Sequence, residues 1–414
     1  MRQLNCNLFD SKGARVPAGT LVYTDFQIDN HERGPRYGGR VEEDGRLIFR
    51  FDDCAPAGQG ANVVVMLQNQ AWRGRQISPA APFVEGETIQ LEREAGPNPF
   101  LPRLVGNGQF FSTEDGQPFT VIECSDFQLF QRFLHGEDLE PVLRDRQDIG
   151  FNTLRVFGTC FNMFRLFPQD FGERYFKGLP EFCELAAGFG CYVEFTAFAD
   201  ATIVVPAVND QLAFWERLGT TVATIPNLLV EAVNEADQVV NRLDSLQRLK
   251  KIPGVLCSHG SNGGGQVPVR PAWDYETFHT NLQFEWWRKV GHNAMEMAAG
   301  AENLEPSGVP CVANENERHP DKTADPVHAH DAAAGAALLC AGSCFHSTSG
   351  KVSKPFEGVE RTCAEAWAKG ARSVALEFQR GRYVRRDDLM TAADLRVYQR
   401  VLRDGRAETV RVRK

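Results

Sequence analysis

Short apolar runs alternate with stretches of helical periodicity from about residue 105 onward, and this alternation constrains the fold more than any other feature of the chain. Eight runs have the length, composition and flanking turn residues of strands. They are residues 119–123, 153–157, 192–198, 228–233, 255–259, 275–279, 309–314 and 343–347. Helical periodicity occupies residues 138–148, 174–188, 210–224, 236–250, 284–299, 326–340 and 356–369. Eight strands with helices between nearly all of them predict an α/β fold, the closed (β/α)8 or TIM barrel.

The first part of the chain has a different pattern. Residues 1–95 contain short apolar or alternating runs between Gly, Pro and Asp clusters, which predicts a small all-β, sandwich-like domain. Its strand candidates are residues 4–9, 21–28, 47–51, 62–67 and 88–91. The stretch AGPNPFLP follows as a linker, and we expect the barrel to occupy residues 104–385. Residues 386–414 are then a C-terminal extension that packs on the barrel or on the β-domain.

Charge and composition indicate which classes of partner and which cellular location to expect. The 414 residues include 43% hydrophobic and 24% charged residues, as in ordinary globular proteins, and the net charge is −9. An acidic chain repels phosphate backbones and anionic lipid, so we expect neither nucleic acid nor membrane as a partner, and a neutral sugar fits better. The N-terminus lacks the apolar region of a signal peptide, and the eleven scattered cysteines predict reduced thiols. Both features favour a cytoplasmic protein, with non-classical release or association with a virion left open.

Polar residues cluster where the predicted strands end, which is where barrels place their active sites. These residues are Glu123, Ser125, Asp126, Arg155, Asp200, Asn234, Glu235, His259, His279, Asn314, Glu315 and His346.

Two of these ends have the strongest chemical signal. PNLLVEAVNEAD ends the fourth strand with Asn234 and Glu235, and SGVPCVANENERH ends the seventh with Asn314 and Glu315. Cleavage of a glycosidic bond needs two carboxyl groups, one to protonate the leaving oxygen and one to attack the anomeric carbon or activate water. Strands four and seven face each other across a barrel mouth, so the two glutamates can lie about 5 to 5.5 Å apart, the spacing for retention.

With these motifs, residues 105–385 resemble glycoside hydrolase clan A. In that clan an Asn-Glu pair closes strand four and a Glu closing strand seven is the nucleophile. The resemblance implies that Glu235 is the acid/base and Glu315 the nucleophile, while Asn234 holds the substrate 2-hydroxyl. Arg155, in GFNTLRVFG, matches the strand-two arginine that orients the nucleophile. His279, in WDYETFHTN, resembles the strand-six segment that ends in His.

Two departures from the clan pattern leave alternatives open. Glu231 replaces the usual aromatic residue near the strand-four motif, and we expect it to pair with an Arg or His inside the barrel. Glu317 lies two residues beyond Glu315, and on a continuing strand both would share a face, so Glu317 is a rival nucleophile.

The remaining candidates concern substrate binding and metals. His259, His346 and Asp126 are candidates for hydrogen bonds to a sugar, and Trp273 is a candidate platform if its loop folds over the mouth. Asp126, like Glu123 and Glu194, is also a candidate structural partner of a buried cation. The pair His328-x-His330 opens a helix, where positions two apart diverge, so we expect no metal site there. Two-carboxylate glycoside hydrolysis itself needs no metal and no organic cofactor.

The sequence therefore predicts a retaining glycoside hydrolase that cleaves an O-glycosidic bond in an oligo- or polysaccharide. The alternative is a non-catalytic carbohydrate-binding or structural barrel, attached through its β-domain to a larger assembly such as a phage tail.

Overall fold

The structure is a computed structural model that describes two parts of the chain. The larger part comprises residues 101–108, 110–261, 272–279, 309–315, 325–339 and 341–379; the N-terminal part comprises residues 3–9, 15–16, 21–28, 32–41, 46–50, 61–67, 70–77, 87–90 and 92–93. The chain divides into two compact units. The first contains residues 1–102 with two short segments, 180–192 and 225–227, and the second contains the remainder.

The N-terminal residues form two β-sheets, which confirms the all-β prediction for this region. The strands are β1 (Gln3–Phe9), β2 (Leu21–Ile28), β3 (Glu32–Arg40), β4 (Arg46–Arg50), β5 (Ala61–Leu67), β6 (Gln70–Ile77), β7 (Glu87–Gln90) and β8 (Glu92–Arg93). One sheet has the order β4-β1-β7 and the other β3-β2-β5-β6-β8. The sequence did not predict β3, which contains three glycines and a proline, because its pairing along the whole length of β2 outweighs that poor strand composition.

The second unit contains the predicted barrel. A small antiparallel sheet comes first, made of β9 (Leu104–Asn107), β10 (Phe110–Thr113) and β11 (Pro118–Phe119). The barrel strands are β12 (Val121–Ser125), β13 (Thr153–Phe157), β14 (Tyr192–Phe198), β15 (Leu228–Val233), β16 (Leu256–Gly260), β17 (Glu276–His279), β18 (Cys311–Glu315) and β19 (Gly342–Phe345). They form one eight-stranded sheet in the order β16-β15-β14-β13-β12-β19-β18-β17. The backbone N–H of Asp274 donates to the Cys257 carbonyl at 2.9 Å, so the two end strands nearly close the barrel.

Helices of the described residues follow most of the strands. They are α1 (Leu129–Leu134), α2 (Glu140–Ile149), α3 (Pro168–Phe171), α4 (Glu173–Ala187), α5 (Ala201–Val204), α6 (Val208–Val222), α7 (Pro326–Leu339), α8 (Thr348–Lys351) and α9 (Gly358–Gln379). Five predicted helices are confirmed within a few residues, except that α9 extends ten residues further than expected. The predicted helix 284–299 and the extension 386–414 lie outside the described residues.

The predicted helix 236–250 is wrong. This segment forms turns, with one 3-10 turn at Leu246–Arg248. Hydrogen bonds to other loops and helices hold the segment in this conformation: Asn241 Oδ1 accepts from the Asp200 N–H at 2.6 Å, and the Ser245 N–H donates to Gln211 Oε1 at 3.2 Å. Leucine spacing indicated a helix, but these contacts hold the chain as a loop.

The apolar core lies between the outer faces of the strands and the helices. Phe345 on β19 packs against Trp367 on α9, with ring centroids 5.8 Å apart, and against Phe356 at 5.5 Å. Alanines of α7 complete this layer, which explains why an Ala-rich segment forms a close helix pair with α9. Polar residues are left to the inner faces of the strands, where they meet inside the barrel.

None of the helices that the structure describes is both long enough and apolar enough to span a membrane.

Candidate functional site

Arg155 on β13 lies at the centre of the polar residues inside the barrel. Its guanidinium is fully buried and donates to Glu315 Oε2 at 3.2 Å, to Glu231 Oε2 at 2.7 Å and to Asn234 Oδ1 at 2.8 Å. Burial acts to lower the pKa of Arg155, but the charges of Glu231 and Glu315 outweigh it and raise that pKa. The guanidinium therefore stays charged, and its hydrogen bonds link β13 to β15 and β18.

Glu315, the last residue of β18, has a donor near each of its carboxyl oxygens. Arg155 Nη1 contacts Oε2, and His279 Nε2 lies 3.5 Å from the same oxygen. His346 Nε2 lies 3.4 Å from Oε1. The side chain of Glu315 is 8% exposed, so one edge of the carboxylate reaches the mouth of the barrel.

Glu235 follows β15 and faces Glu315 across a histidine. His279 Nδ1 lies 3.4 Å from Glu235 Oε1, while its Nε2 faces Glu315. The two carboxyl groups are thus separated by no more than one imidazole ring and its two contacts. Burial acts to lower the pKa of His279, but the Glu315 charge and the hydrogen bond with Glu235 prevail and raise it. The two neighbouring carboxyl groups therefore favour the protonated form of this imidazole.

The backbone at Glu235 is held in an unusual conformation. Its φ is +48°, in the left-handed region that residues other than glycine rarely adopt. The neighbouring strand β16 ends at Gly260, where a Cβ would lie 1.9 Å from the Val233 carbonyl oxygen, so only glycine allows this close approach. The N–H of Ala236 donates to the Ser261 carbonyl at 2.8 Å. These contacts hold Glu235 at the mouth at the cost of local strain, as is found at functional sites.

A second layer of polar residues lies beneath the two glutamates. Glu231 Oε2 accepts from Thr196 Oγ1 at 2.7 Å, and its Oε1 accepts from Thr277 Oγ1 at 2.8 Å and from Asn314 Nδ2 at 2.9 Å. Burial acts to raise the pKa of Glu231, but the Arg155 charge overrides it and the pKa falls. The prediction that Glu231 pairs with an Arg inside the barrel is confirmed.

Two further acids, Glu194 and Glu123, lie deeper still. Glu194 accepts from the Tyr275 hydroxyl at 2.9 Å and lies 3.6 Å from the Arg155 Nε. Burial raises the pKa of Glu194 to about 7, and the Glu231 charge adds to the rise. Burial also raises the pKa of Glu123 well above its usual range, with the Glu194 charge acting in the same direction. Burial and the Glu194 charge therefore both favour the protonated form of Glu123, because two adjacent carboxylates cannot both ionise cheaply.

The raised pKa of Glu194 predicts a pH-dependent stability. A carboxyl group whose pKa is higher in the folded state stabilises the fold below its unfolded pKa, near 4.3, and that contribution disappears as the pH rises through about 7. Urea unfolding should show a loss on the order of 3 kcal/mol from this group between pH 5 and pH 8. In Glu194→Gln, the slope of the free energy of unfolding against pH should lack this contribution. Glu216→Gln, at an exposed position of α6, should have the wild-type slope. Equal slopes in the wild type and Glu194→Gln would contradict this assignment.

Asp126 lies apart from the mouth residues. Its carboxylate forms a two-point ion pair with Arg146 on α2, at 2.9 Å for each contact, and both side chains are fully buried. Arg146 also contacts Asp145. Arg146 is thus the buried cation that the structural role of Asp126 requires. Among the described residues, no contact links Asp126 to Glu235 or Glu315.

His259 and Trp273 also lie elsewhere. Ser258 hydrogen-bonds Thr277 on the inner face of the sheet at 3.3 Å, so the next residue, His259, points to the outer face. There its ring packs on Trp273 with centroids 3.7 Å apart, and Trp273 packs on Trp215 of α6 at 5.9 Å. The structure therefore brings these two candidates into contact with each other and, through Trp273, with a tryptophan of α6.

Asp200 ties three mouth loops together and was not assigned a role from sequence. Its Oδ2 accepts the backbone N–H groups of Phe161 at 2.8 Å and Asn162 at 2.9 Å, and its own N–H donates to Asn241. The loops after β13, β14 and β15 are thereby held in fixed relation. Ser261 is a second residue that sequence reasoning missed: its hydroxyl lies 2.8 Å from His279 Nε2. Only its position directly after a strand could have indicated it.

Metal ligation has no geometric support in the described part of the chain, where no three His, Cys, Asp or Glu side chains are grouped to hold an ion. His328 and His330 both fall within α7. Glu317 lies outside the described residues.

Comparison with known proteins gives similarities at the level of structure. No protein-family model matches the sequence, and no curated protein matches it. A candidate glycoside hydrolase from Bacteroides vulgatus ATCC 8482 is 12% identical with a TM-score of 0.49, and the match covers 84% of this chain and 70% of that one. GH5_18 from Streptomyces cattleya, in complex with GlcNAc, is 13% identical with a TM-score of 0.46, covering 72% and 92%. The glycoside hydrolase family 5 mannosidase from Rhizomucor miehei is 12% identical with a TM-score of 0.46, covering 67% and 99%. At these identities and TM-scores the similarities do not decide what this chain does, and its chemistry must follow from the side chains at the mouth.

Proposed function

We propose that the chain is a retaining glycoside hydrolase, with Glu315 as the nucleophile and Glu235 as the acid/base. The supporting observation is that these two carboxyl groups lie near opposite nitrogens of His279, and that Arg155 donates a hydrogen bond to Glu315. The groups are thus close together but differ in their surroundings. Glu315 accepts a hydrogen bond from Arg155 and has one nitrogen of each of two histidines within 3.5 Å, surroundings that suit an ionised nucleophile, whereas Glu235 is 22% exposed and faces the opening.

In the first step, Glu315 attacks the anomeric carbon and forms a glycosyl ester. The bond to the leaving oxygen breaks at the same time, and the proton of Glu235 passes to that oxygen. Arg155 and the two histidines hold the attacking carboxylate in position, so that little reorganisation is needed as its charge falls. The leaving alcohol then departs through the side of the mouth where Glu235 is exposed.

In the second step, Glu235 acts as a base. It takes a proton from water, and the resulting hydroxide attacks the anomeric carbon and expels Glu315 as a carboxylate. Two displacements at one carbon return the original anomeric configuration. Asn234 accepts from Arg155 through Oδ1, which turns its Nδ2 donor away from the guanidinium and makes it suitable for a sugar hydroxyl.

The first test is a screen of aryl glycosides and oligosaccharides with the full-length chain, with anomeric configuration followed by proton NMR. Glu235→Gln should reduce turnover of glycosides with poor leaving groups by about 10²–10⁴-fold, because general acid catalysis is lost. Dinitrophenyl glycosides need little protonation, so their first step should remain close to the wild-type rate. Asp237→Asn, an exposed acid in the same loop, is the matched control and should leave both rates unchanged.

Two outcomes would reject the proposal in different ways. Inverted products would show that the two carboxyl groups work with a water between them and not through a glycosyl ester. Binding of a glycan with no turnover in any assay would favour the non-catalytic alternative, a carbohydrate-binding barrel in a larger assembly.

A further inference from the structure

Two buried side chains, Ser125 and His346, connect the first barrel strand to Oε1 of Glu315, whereas Arg155 contacts Oε2. Ser125 Oγ, at the end of β12, lies 2.8 Å from His346 Nδ1. His346 follows β19, and its Nε2 lies 3.4 Å from Glu315 Oε1. Ser125 and His346 are 0% and 1% exposed, so the connection is shielded from water along its length.

The charge of Glu315 determines which ring nitrogen of His346 carries the proton. If His346 carried its proton on Nδ1, the lone pair of Nε2 would face the Glu315 carboxylate, which is repulsive in a buried site. In the neutral imidazole the proton therefore belongs on Nε2, and Nδ1 accepts a hydrogen bond. Ser125 is placed to donate it, because Cys344 Sγ lies 3.2 Å from Ser125 Oγ and can donate to that oxygen in turn. Burial raises the pKa of the Cys344 thiol well above its usual range, so the thiol keeps its proton.

We propose that Ser125 is a positioning residue that holds His346 in the Nε2–H tautomer, so that His346 fixes the second oxygen of Glu315. The inference rests on the proposed function, in which Glu315 is the nucleophile. It changes the interpretation of His346, which the sequence suggested as a ligand for sugar. Ser125 lies at one ring nitrogen of His346, and Glu315 lies 3.4 Å from the other.

The expected consequence is a more rigid nucleophile. Arg155 and His279 both lie near Oε2. A donor at Oε1 adds a restraint on the other oxygen and helps to keep the carboxylate plane oriented for attack. Ser125→Ala should therefore lower kcat by about tenfold, the effect of one hydrogen bond to a charged group, with KM nearly unchanged.

A double-mutant cycle separates this role from simple packing. His346→Gln keeps an N–H donor near the position of Nε2 but has no acceptor at the position of Nδ1 for Ser125. Adding Ser125→Ala to His346→Gln should cost almost nothing further in kcat. The same tenfold loss in both backgrounds would overturn the relay, as would an unchanged kcat in Ser125→Ala alone.

A spectroscopic measurement tests the geometry without relying on activity. In full-length protein labelled with ¹⁵N-histidine, long-range ¹H–¹⁵N correlations distinguish the two tautomers, and the His346 signals are those that vanish in His346→Gln. We expect the Nε2–H tautomer near neutral pH, with the Nδ1 signal moving in Ser125→Ala. An Nδ1–H tautomer in the wild type, or no movement in the variant, would overturn the inference. If the spectra are as expected but the protein has no glycosidase activity, only the proposed function is rejected.

Discussion

Replacing Glu315 with glutamine is expected to abolish glycoside turnover, with a fall in kcat of about 10⁴-fold or more. The amide has nearly the same shape as the carboxylate but cannot form the glycosyl ester. Arg155, His279 and His346 lie around the negative charge of Glu315, and the neutral amide of the variant attracts them less strongly. Steady-state rates on the best glycoside from the screen measure the effect.

Glu317 provides the matched control. Glu317→Gln removes the same charge two residues further along and should keep activity within a few-fold of the wild type. Glu315→Gly with added azide should recover turnover and release a glycosyl azide of inverted configuration, because a small anion then replaces the missing nucleophile. Full activity in Glu315→Gln together with its loss in Glu317→Gln would assign the nucleophile to the rival residue.

Replacing Arg155 with methionine is expected to destabilise the barrel by about 3–5 kcal/mol. The guanidinium is within ion-pair distance of Glu194, Glu231 and Glu315, all of which are nearly or fully buried. Without it, these acids would have to remain charged in a low-dielectric interior or take up protons, and both alternatives cost free energy. Urea unfolding followed by circular dichroism measures the loss.

Two further variants distinguish this charge effect from a loss of packing. Arg155→Met combined with Glu231→Gln should recover part of the lost stability, since it removes the acid most closely bound to the arginine. Arg217→Met breaks an exposed ion pair with Glu173 and should cost only about 0–1 kcal/mol. A double variant that is no more stable than Arg155→Met alone would argue against the charge cluster as the cause.

Much of the barrel could be predicted because buried parallel strands are continuous apolar runs. Three strands, residues 153–157, 192–198 and 228–233, have the predicted bounds. The order of polar residues at strand ends brought Arg155, Asn234 and Glu315 together, as the contacts of Arg155 show. Such a prediction needs only the strand order and the rule that strand ends share one face.

What the sequence could not supply was the direction of individual side chains. The first strand starts two residues later than predicted, which moves Glu123 from the mouth into the barrel interior and places Ser125 at the end. His259 falls at the end of its strand as expected but points outward, because its neighbour Ser258 takes the inner face. A shift of one residue in strand register decides whether a side chain faces the site or the core, and amino-acid composition does not reveal that register.

Tertiary hydrogen bonds account for the other differences. The loop after β15 resembled a helix until the contacts of Asn241 and Ser245 with other loops are considered. The link between Ser125 and His346 joins the first and last strands of the barrel, 221 positions apart in sequence. Only closure of the barrel makes them neighbours, so no local pattern could have paired them.

The most direct test of the proposed chemistry is to trap the glycosyl ester. A 2-deoxy-2-fluoro analogue of a glycoside that the protein cleaves, with a dinitrophenolate leaving group, slows the second step more than the first and lets the ester accumulate. Peptide mass spectrometry should then find the fluorosugar on Glu315, and no label should form in Glu315→Gln. A label on Glu317, or rapid turnover with inversion and no covalent adduct, would contradict the assignment of Glu315 as the nucleophile.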